Sequence, residues 1–277
     1  MMLKRVRIPI LMYHALTEKD SDLANPVHIS FSLFTKQMEW LKDNGYRSIL
    51  LDELPEIISA AGVNDKLFVL TFDDGYSSLY KYAMPLLKKL EFKAVLYLSV
   101  NCIDKKDFTD LKDIQQSSLP VNDRPLTWNE VKEMRLNGWS VQSHSMSHAD
   151  HSSIDTKQLI KEVFESKINI EFHLHEPVTH YAYPFGKYDT RSIDLVKQAG
   201  YMTAVSVHPG LCDNRSDQYR LPRLEMNRYD TLETFIKKVE TGFKTPAEKR
   251  RSALRRILFS NLKIKDFIKR IAGNRIN

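Results

Sequence analysis

The sequence predicts an α/β protein built as a closed or nearly closed (β/α) barrel of seven or eight parallel strands. Three observations carry that reading. Short apolar runs alternate with helix-period segments along most of the chain. The runs are continuously apolar, as strands covered on both faces are. His14, Asp73, Asp74, His144, Tyr183 and His208 each fall at or just past the C-terminal end of such a run, the face on which barrels of this class carry their sites. An open doubly wound sheet would bring the same strand ends to one crevice.

The elements follow in order. RIPILMYH is the first strand. The basic residues before it echo a leader peptide, but the apolar run is short, contains Pro9 and His14, and has no small-residue cleavage site. SFSLFTKQMEWLKDNGY is a helix with Ser30 or Ser32 at its N-cap and Gly45 at its end. YRSILL is a strand, and DELPEIISAAG a helix with Pro55 in its first turn. KLFVLTF is a strand, followed by a helix over SSLYKYAMPLLKKLE with Leu79, Tyr82, Ala83, Leu86 and Leu87 on one face. After the strand FKAVLYLSV, residues 101–125 form a polar insertion on the strand-end face. A helix opens at Thr127, WSVQSH is a strand, and a long helix runs from about Thr156 to Glu171. Strand VTHYAYPF, helix TRSIDLVKQAG, strand YMTAVSV and a short strand within YRLPRLEM complete the series.

Composition bounds the function. The 277 residues are 42% hydrophobic and 27% charged, ordinary for a soluble globular protein. No uninterrupted apolar run approaches the ~18 residues of a spanning helix. Cys102 and Cys212 are too few for a disulfide framework, which points to a reduced compartment. Between Lys244 and Asn277 eleven basic residues face two acidic ones, a net +9, so with the whole chain at +6 the remainder carries −3. The basicity belongs to the tail, and nucleic-acid binding by the body is not expected. The division is therefore residues 1–243 as one domain and 244–277 as a basic tail. Ala253–Ile271 is helix-compatible with a rough apolar stripe. A docked terminal helix accounts for it, as does peripheral contact with an anionic membrane. The expected location is cytoplasmic, at the inner face of the cell membrane.

The chemistry lies in two short stretches. Asp73 and Asp74 are adjacent at a strand exit, and two carboxylates so close resist joint ionisation unless a cation is at hand. DDG alone is also a good turn sequence. In QSHSMSHADH, His144 and His148 are four apart, which places both rings on one side of a helical turn. With one aspartate oxygen they form a His₂Asp set with an open position. His151 is a competing ligand, but the spacing favours His148. The same ligand types bind Fe(II) in oxygenases, which need no neighbouring second aspartate.

TFDDG, SHSMSH and YAYPFG, in this order and separation, resemble the first three motifs of the carbohydrate esterase family 4 polysaccharide deacetylases, the NodB-homology enzymes. The resemblance spans roughly Ile8 to Met226. It implies the deformed barrel, one divalent metal ion (zinc, with cobalt or nickel as substitutes) and an N-acetylated glycan substrate. It also implies that Asp73 is the catalytic base, that Asp74, His144 and His148 are the metal ligands, and that a backbone N–H near Phe185 stabilises the oxyanion. Two departures stand out: Ala182 occupies the position of an arginine that braces the base, and no late Leu-x-x-His follows Met226; His208 is a poor substitute. The chain is more similar to the subgroup that deacetylates poly-N-acetylglucosamine exopolysaccharides, which also carries Tyr-His after the first strand and a late Leu-Pro-Arg, here Tyr13-His14 and Leu221-Pro222-Arg223. That similarity implies His14 as general acid and Arg223 as the replacement brace on Asp73. Tyr183 and Phe185, with Trp128 or Trp139, are candidates to stack on sugar rings. The resulting expectation is a metal-dependent hydrolase of N-acetyl groups on a bacterial polysaccharide or lipid-linked glycan. The alternatives are an inactive glycan-binding protein on the same fold and an O-acetyl or N-formyl sugar deacylase.

Overall fold

The computed structural model describes residues 6–18, 25–59, 66–111 and 123–258. In chain order its main elements are β1 (Ile10–Tyr13), β2 (Leu16–Thr17), β3 (Ile29–Ser30), α1 (Phe31–Asp43), β4 (Tyr46–Ser48), α2 (Leu54–Ser59), β5 (Lys66–Phe72), α3 (Met84–Leu90), β6 (Ala94–Leu98), α4 (Trp128–Leu136) and β7 (Trp139–Ser143). They continue with α5 (Thr156–Ile160), α6 (Ser166–Leu174), β8 (His180–Ala182), α7 (Thr190–Gln198), β9 (Thr203–Val205), β10 (Leu224–Glu225), α8 (Leu232–Thr241) and α9 (Pro246–Leu258).

The main sheet is parallel, in the order β10-β1-β5-β6-β7-β8-β9, with β4 joined to the start of β5. It curls into a deformed (β/α) barrel, and a parallel bridge between Val205 and Leu221 links its two ends. The short β2–β3 pair lies outside it.

Period-two alternation sorts the strand residues into two cores. Leu67, Val69, Val95, Tyr97, Ala182, Val205 and Leu221 cluster together inside the barrel. Their alternates Phe68, Leu70, Leu96, Leu98, Tyr181 and Ala204 pack toward the helices. This parity is what aims the polar residues. Counting by twos from Leu67 and Val69 reaches Asp73, counting from Ile10 reaches His14, and counting from Leu221 reaches Arg223. All three therefore project to the inner side.

The helices seal the outer faces. In α1, Phe34, Gln37, Met38 and Leu41 are buried at i, i+3, i+4 and i+7, and the Ser30 hydroxyl accepts from the Leu33 N–H at 3.3 Å, choosing Ser30 over Ser32 as the cap. Thr127 caps α4 in a reciprocal box with Glu130. The long helix that the sequence predicts from Thr156 begins there, behind the Asp155 cap, but is not uniform: a π-type turn at Lys161–Glu165 separates α5 from α6. Strand β8 stops at Ala182 because Pro184 cannot continue the ladder and Phe185 turns into the left-handed region at φ 56°.

One expectation is corrected. Trp139 is buried against Phe72, with ring centroids 5.0 Å apart, and cannot reach a sugar; Trp128 is stacked on His173 at 4.0 Å. The tail is helical over Pro246–Leu258, while the rest of the predicted 253–271 segment and much of the 101–125 insertion lie outside the described residues. Among the described residues no helix is long and apolar enough to cross a membrane.

Candidate active site

The strand ends bound a cleft of about 310 Å³ whose walls include His14, Asp73, Asp74, His144, His148 and Arg223. The structure thus brings together the six residues expected to act as base, metal ligands, general acid and brace, and Tyr183 and Phe185 line the same cleft, whereas His151 and His208 do not.

The two aspartates part at the backbone. Asp73 follows strand geometry, its N–H donating to the Tyr13 carbonyl at 3.0 Å. Asp74 turns into the left-handed region at φ 73°, a conformation aspartate tolerates better than most residues. Gly75 follows at φ 95°, where a Cβ would stand 2.9 Å from Leu98. The carboxylates consequently meet different partners. Asp73 receives both arms of the Arg223 guanidinium, each at 2.7 Å. Arg223 also donates through Nε to the Ser206 carbonyl and lies 5.7 Å from the centre of the Tyr97 ring. Burial pushes the Asp73 carboxyl up, but the Arg223 guanidinium outweighs it and holds the group well below the usual range. Asp74 has no such guanidinium, and burial pushes its carboxyl up to about 6.

Asp74 faces the histidines instead. Its Oδ1 lies 3.5 Å from His144 Nε2 and 3.4 Å from His148 Nε2, and one ligand atom from each of the three residues falls within a 4.8 Å group. Ligands about 2.1 Å from a tetrahedral zinc stand about 3.4 Å from one another. Among the described residues Asp74 Oδ1 is buried without a hydrogen-bond partner, as suits an atom kept for a cation. The His144 Nδ1 lies 2.8 Å from the Ala182 carbonyl. A carbonyl only accepts, so Nδ1 carries the proton and Nε2 presents its lone pair to the cluster. Burial pushes the His144 ring down to about 3, keeping it neutral as a ligand must be. The donor set fits a divalent metal.

His148 reaches the cluster by another route than the spacing suggests. The segment after β7 is not a helical turn: Ser145 and His148 both have positive φ, at 73° and 56°, and a tight loop folds the second ring back beside the first, 4.9 Å between centroids. His151 lies outside the cluster, with its Nε2 3.2 Å from the Tyr181 hydroxyl. His208, 2.9 Å from the Tyr188 hydroxyl, stands in the loop after β9. Tyr183 is fully buried between Tyr181 and Tyr188 and borders the cleft from inside the wall. Phe185 is the exposed aromatic, 39% accessible, with its ring 4.4 Å from that of His148. His14 is half-buried, and its Nδ1 has no hydrogen-bond partner among the described residues.

Sequence reasoning misses Tyr76 and Glu225. The Tyr76 hydroxyl reaches the Asp74 carboxylate, and Glu225 lines the cleft two residues after Arg223 on the same side of the strand. The strand parity that turns Arg223 toward the cleft turns Glu225 toward it as well.

Buried histidines near the cleft predict acid lability. His28 is fully buried, as is His151; burial pushes them down from 6.5 to about 3 and about 4 respectively. Because these folded values lie below the unfolded one, the unfolded chain binds protons that the native chain refuses. The contribution is complete above about pH 6.5 and is lost as pH falls toward 4, on the order of 2 kcal/mol for each ring at pH 5. Urea midpoints of chelator-treated protein are therefore expected to fall between pH 7.5 and pH 5, and His28→Gln to flatten that slope. An equal slope in the variant would refute the assignment.

The curled parallel sheet, with an acid–imidazole cluster at the carboxyl ends of its strands, defines the class. Residues 60–204 match the family described as polysaccharide deacetylase, more than half of the chain, and the chain belongs to that family of hydrolases. The Bacillus subtilis protein YxkH is 28% identical over 225 residues, covering 81% of this chain and 73% of its own. The poly-beta-1,6-N-acetyl-D-glucosamine N-deacetylase of Staphylococcus aureus is 23% identical over 219 residues, or 76% of this chain and 71% of the relative. Among solved structures, the Streptococcus pyogenes deacetylase PplD in complex with acetate superposes with a TM-score of 0.72 at 25% identity, covering 85% of this chain and 99% of that one.

Proposed function

We propose that the protein is a metal-dependent deacetylase that hydrolyses N-acetyl groups of amino-sugar residues in a bacterial polysaccharide or lipid-linked glycan. The observation that carries this reading is the division of labour at the aspartate pair: Asp74 is grouped with two imidazoles at 3.4–3.5 Å, while Asp73 is held apart by a bidentate guanidinium. A divalent cation, zinc in this reading, would be held by Asp74, His144 and His148, and when bound supplies Lewis acidity to water and to an amide carbonyl.

The remaining steps belong to the chain. Asp73, kept ionised by Arg223, accepts the proton of the attacking water; a group positioned in this way typically contributes about 10²–10⁴-fold. The N–H near Phe185 donates to the oxyanion as the carbonyl becomes tetrahedral. His14, from the strand beside β5, gives a proton to the departing amine, so that acetate and a free amino sugar leave. Phe185, exposed on the rim, stacks on a sugar face. The similarity to the Staphylococcus aureus enzyme supports an N-acetylglucosamine polymer as substrate.

The test is acetate release from N-acetylglucosamine oligomers, run on one preparation before and after metal removal and again after zinc is restored. Release only in the metal-loaded states is expected. Hydrolysis that persists undiminished in the stripped protein would overturn the reading.

The tail is proposed to rest on an anionic membrane at the cytoplasmic face. On α9, Lys249, Arg250 and Arg251 are exposed, and a basic residue near such a surface contributes about 1 kcal/mol. The full chain is expected to sediment with vesicles rich in anionic lipid, and a chain ending after Gly242 to remain in solution. Equal sedimentation of both would exclude the tail as the contact.

A further inference from the structure

The loop between His144 and His148 has to hold two positive-φ residues and keep two imidazoles aimed at one point. Its backbone groups are bonded on two sides. The carbonyls of Ser145 and Met146 accept from the N–H groups of Val100 and Asn101, just beyond β6, at 3.1 and 2.9 Å. The Met146 and Ser147 N–H groups point the other way and donate to a single carboxylate oxygen, Glu162 Oε2, at 3.0 and 2.8 Å. Glu162 Oε1 takes the Ser147 hydroxyl at 2.6 Å and the Gln158 amide at 2.7 Å. Glu162 is fully buried, and all four of these donors are neutral.

A buried carboxylate is a costly way to anchor a loop unless its geometry matters. Glu162 stands on the π-type turn Lys161–Glu165, the irregular turn between α5 and α6; such turns are often found at functional sites. Two adjacent N–H groups converging on one oxygen fix the peptide planes on either side of Met146. Those planes precede His148, whose own N–H donates to the Ser145 hydroxyl at 3.0 Å.

We propose that Glu162 is a positioning residue for the metal centre: by gathering the Met146 and Ser147 amides it holds His148 in register with His144 and Asp74. This rests on the metal reading given above. Glu162 touches neither the cleft nor a ligand atom, and it acts through the loop alone. Outer partners that orient metal ligands typically change affinity 10- to 100-fold when removed.

The test compares Co²⁺ affinity, by competition against a chromophoric chelator, in the full-length wild type, Glu162→Gln, Ser147→Ala and Val163→Ala. Val163 is equally buried on the same turn but belongs to the hydrophobic core and makes no bond to the loop. Thermal midpoints of the metal-free proteins calibrate general destabilisation. Glu162→Gln, which sets an amide against N–H donors, is expected to weaken Co²⁺ binding 10- to 100-fold and to alter the visible spectrum of the bound ion. Ser147→Ala keeps both amide bonds and should weaken binding less. Val163→Ala should lower the midpoint and leave affinity within about twofold. Wild-type affinity in Glu162→Gln, or losses that track the midpoints across all variants, would overturn the inference while leaving the metal reading intact. A wild type that binds no Co²⁺ overturns both.

Discussion

Replacing Asp73 with asparagine is expected to abolish turnover while leaving the metal in place. The side chain keeps its volume and one acceptor for Arg223, but it can no longer take a proton, and the loss expected for a positioned base is about 10²–10⁴-fold in kcat. His144→Ala is expected to lose both properties, because it removes one of the two imidazole nitrogens grouped around Asp74 Oδ1. Metal content and acetate release measured on the same preparations separate the two roles. If Asp73→Asn sheds its metal as completely as His144→Ala, the division between adjacent aspartates is wrong.

The second large effect is expected at Arg223. Its side chain is fully buried and bonded through both terminal nitrogens to Asp73. Arg223→Ala leaves a buried carboxylate without its counter-charge, a change that typically costs 3–5 kcal/mol, a large part of the roughly 5–15 kcal/mol that holds a domain together. The pH profile should move with it. Arg223 is the main influence that keeps the Asp73 carboxyl below its usual range against burial. Without it the group protonates at higher pH, so the acid limb of kcat/KM shifts upward and activity recovers only as pH rises. Arg223→Lys, which keeps the charge but not the fork, should fold better and show a smaller shift. Unfolding in urea reads the first effect and a pH–rate profile the second. An unmoved acid limb in both variants would remove Arg223 from the tuning of the base.

Much of this site is legible in the sequence because strand geometry is local. An apolar run of alternating faces fixes which residue emerges inward at its end, so His14, Asp73 and His144 announce themselves, and Leu221-Pro222-Arg223 supplies the brace that Ala182 lacks. What stays hidden depends on contacts distant in sequence. The four-residue spacing of His144 and His148 suggests a helical turn, whereas the loop follows the hydrogen bonds offered by Glu162 and by the backbone after β6. Glu162 itself reads as one more polar residue of an amphipathic helix, since nothing local reveals the π-type turn that sends it inward. Trp139 has the composition of a sugar platform, but it is buried against Phe72 in the core on the helix side of the sheet, the face opposite the cleft.

The bond between Arg223 and Asp73 joins residues 150 positions apart. Synthesis proceeds from the N-terminus, so a growing chain already holds the aspartate pair and both imidazoles long before the guanidinium that completes them is made. Until then the barrel interior has no cation to receive the Asp73 carboxylate. A chain cut short of residue 223 lacks both β10 and the guanidinium that forks onto Asp73. The site is thus closed from both ends of the chain, with β1 lying between β10 and β5 in the sheet.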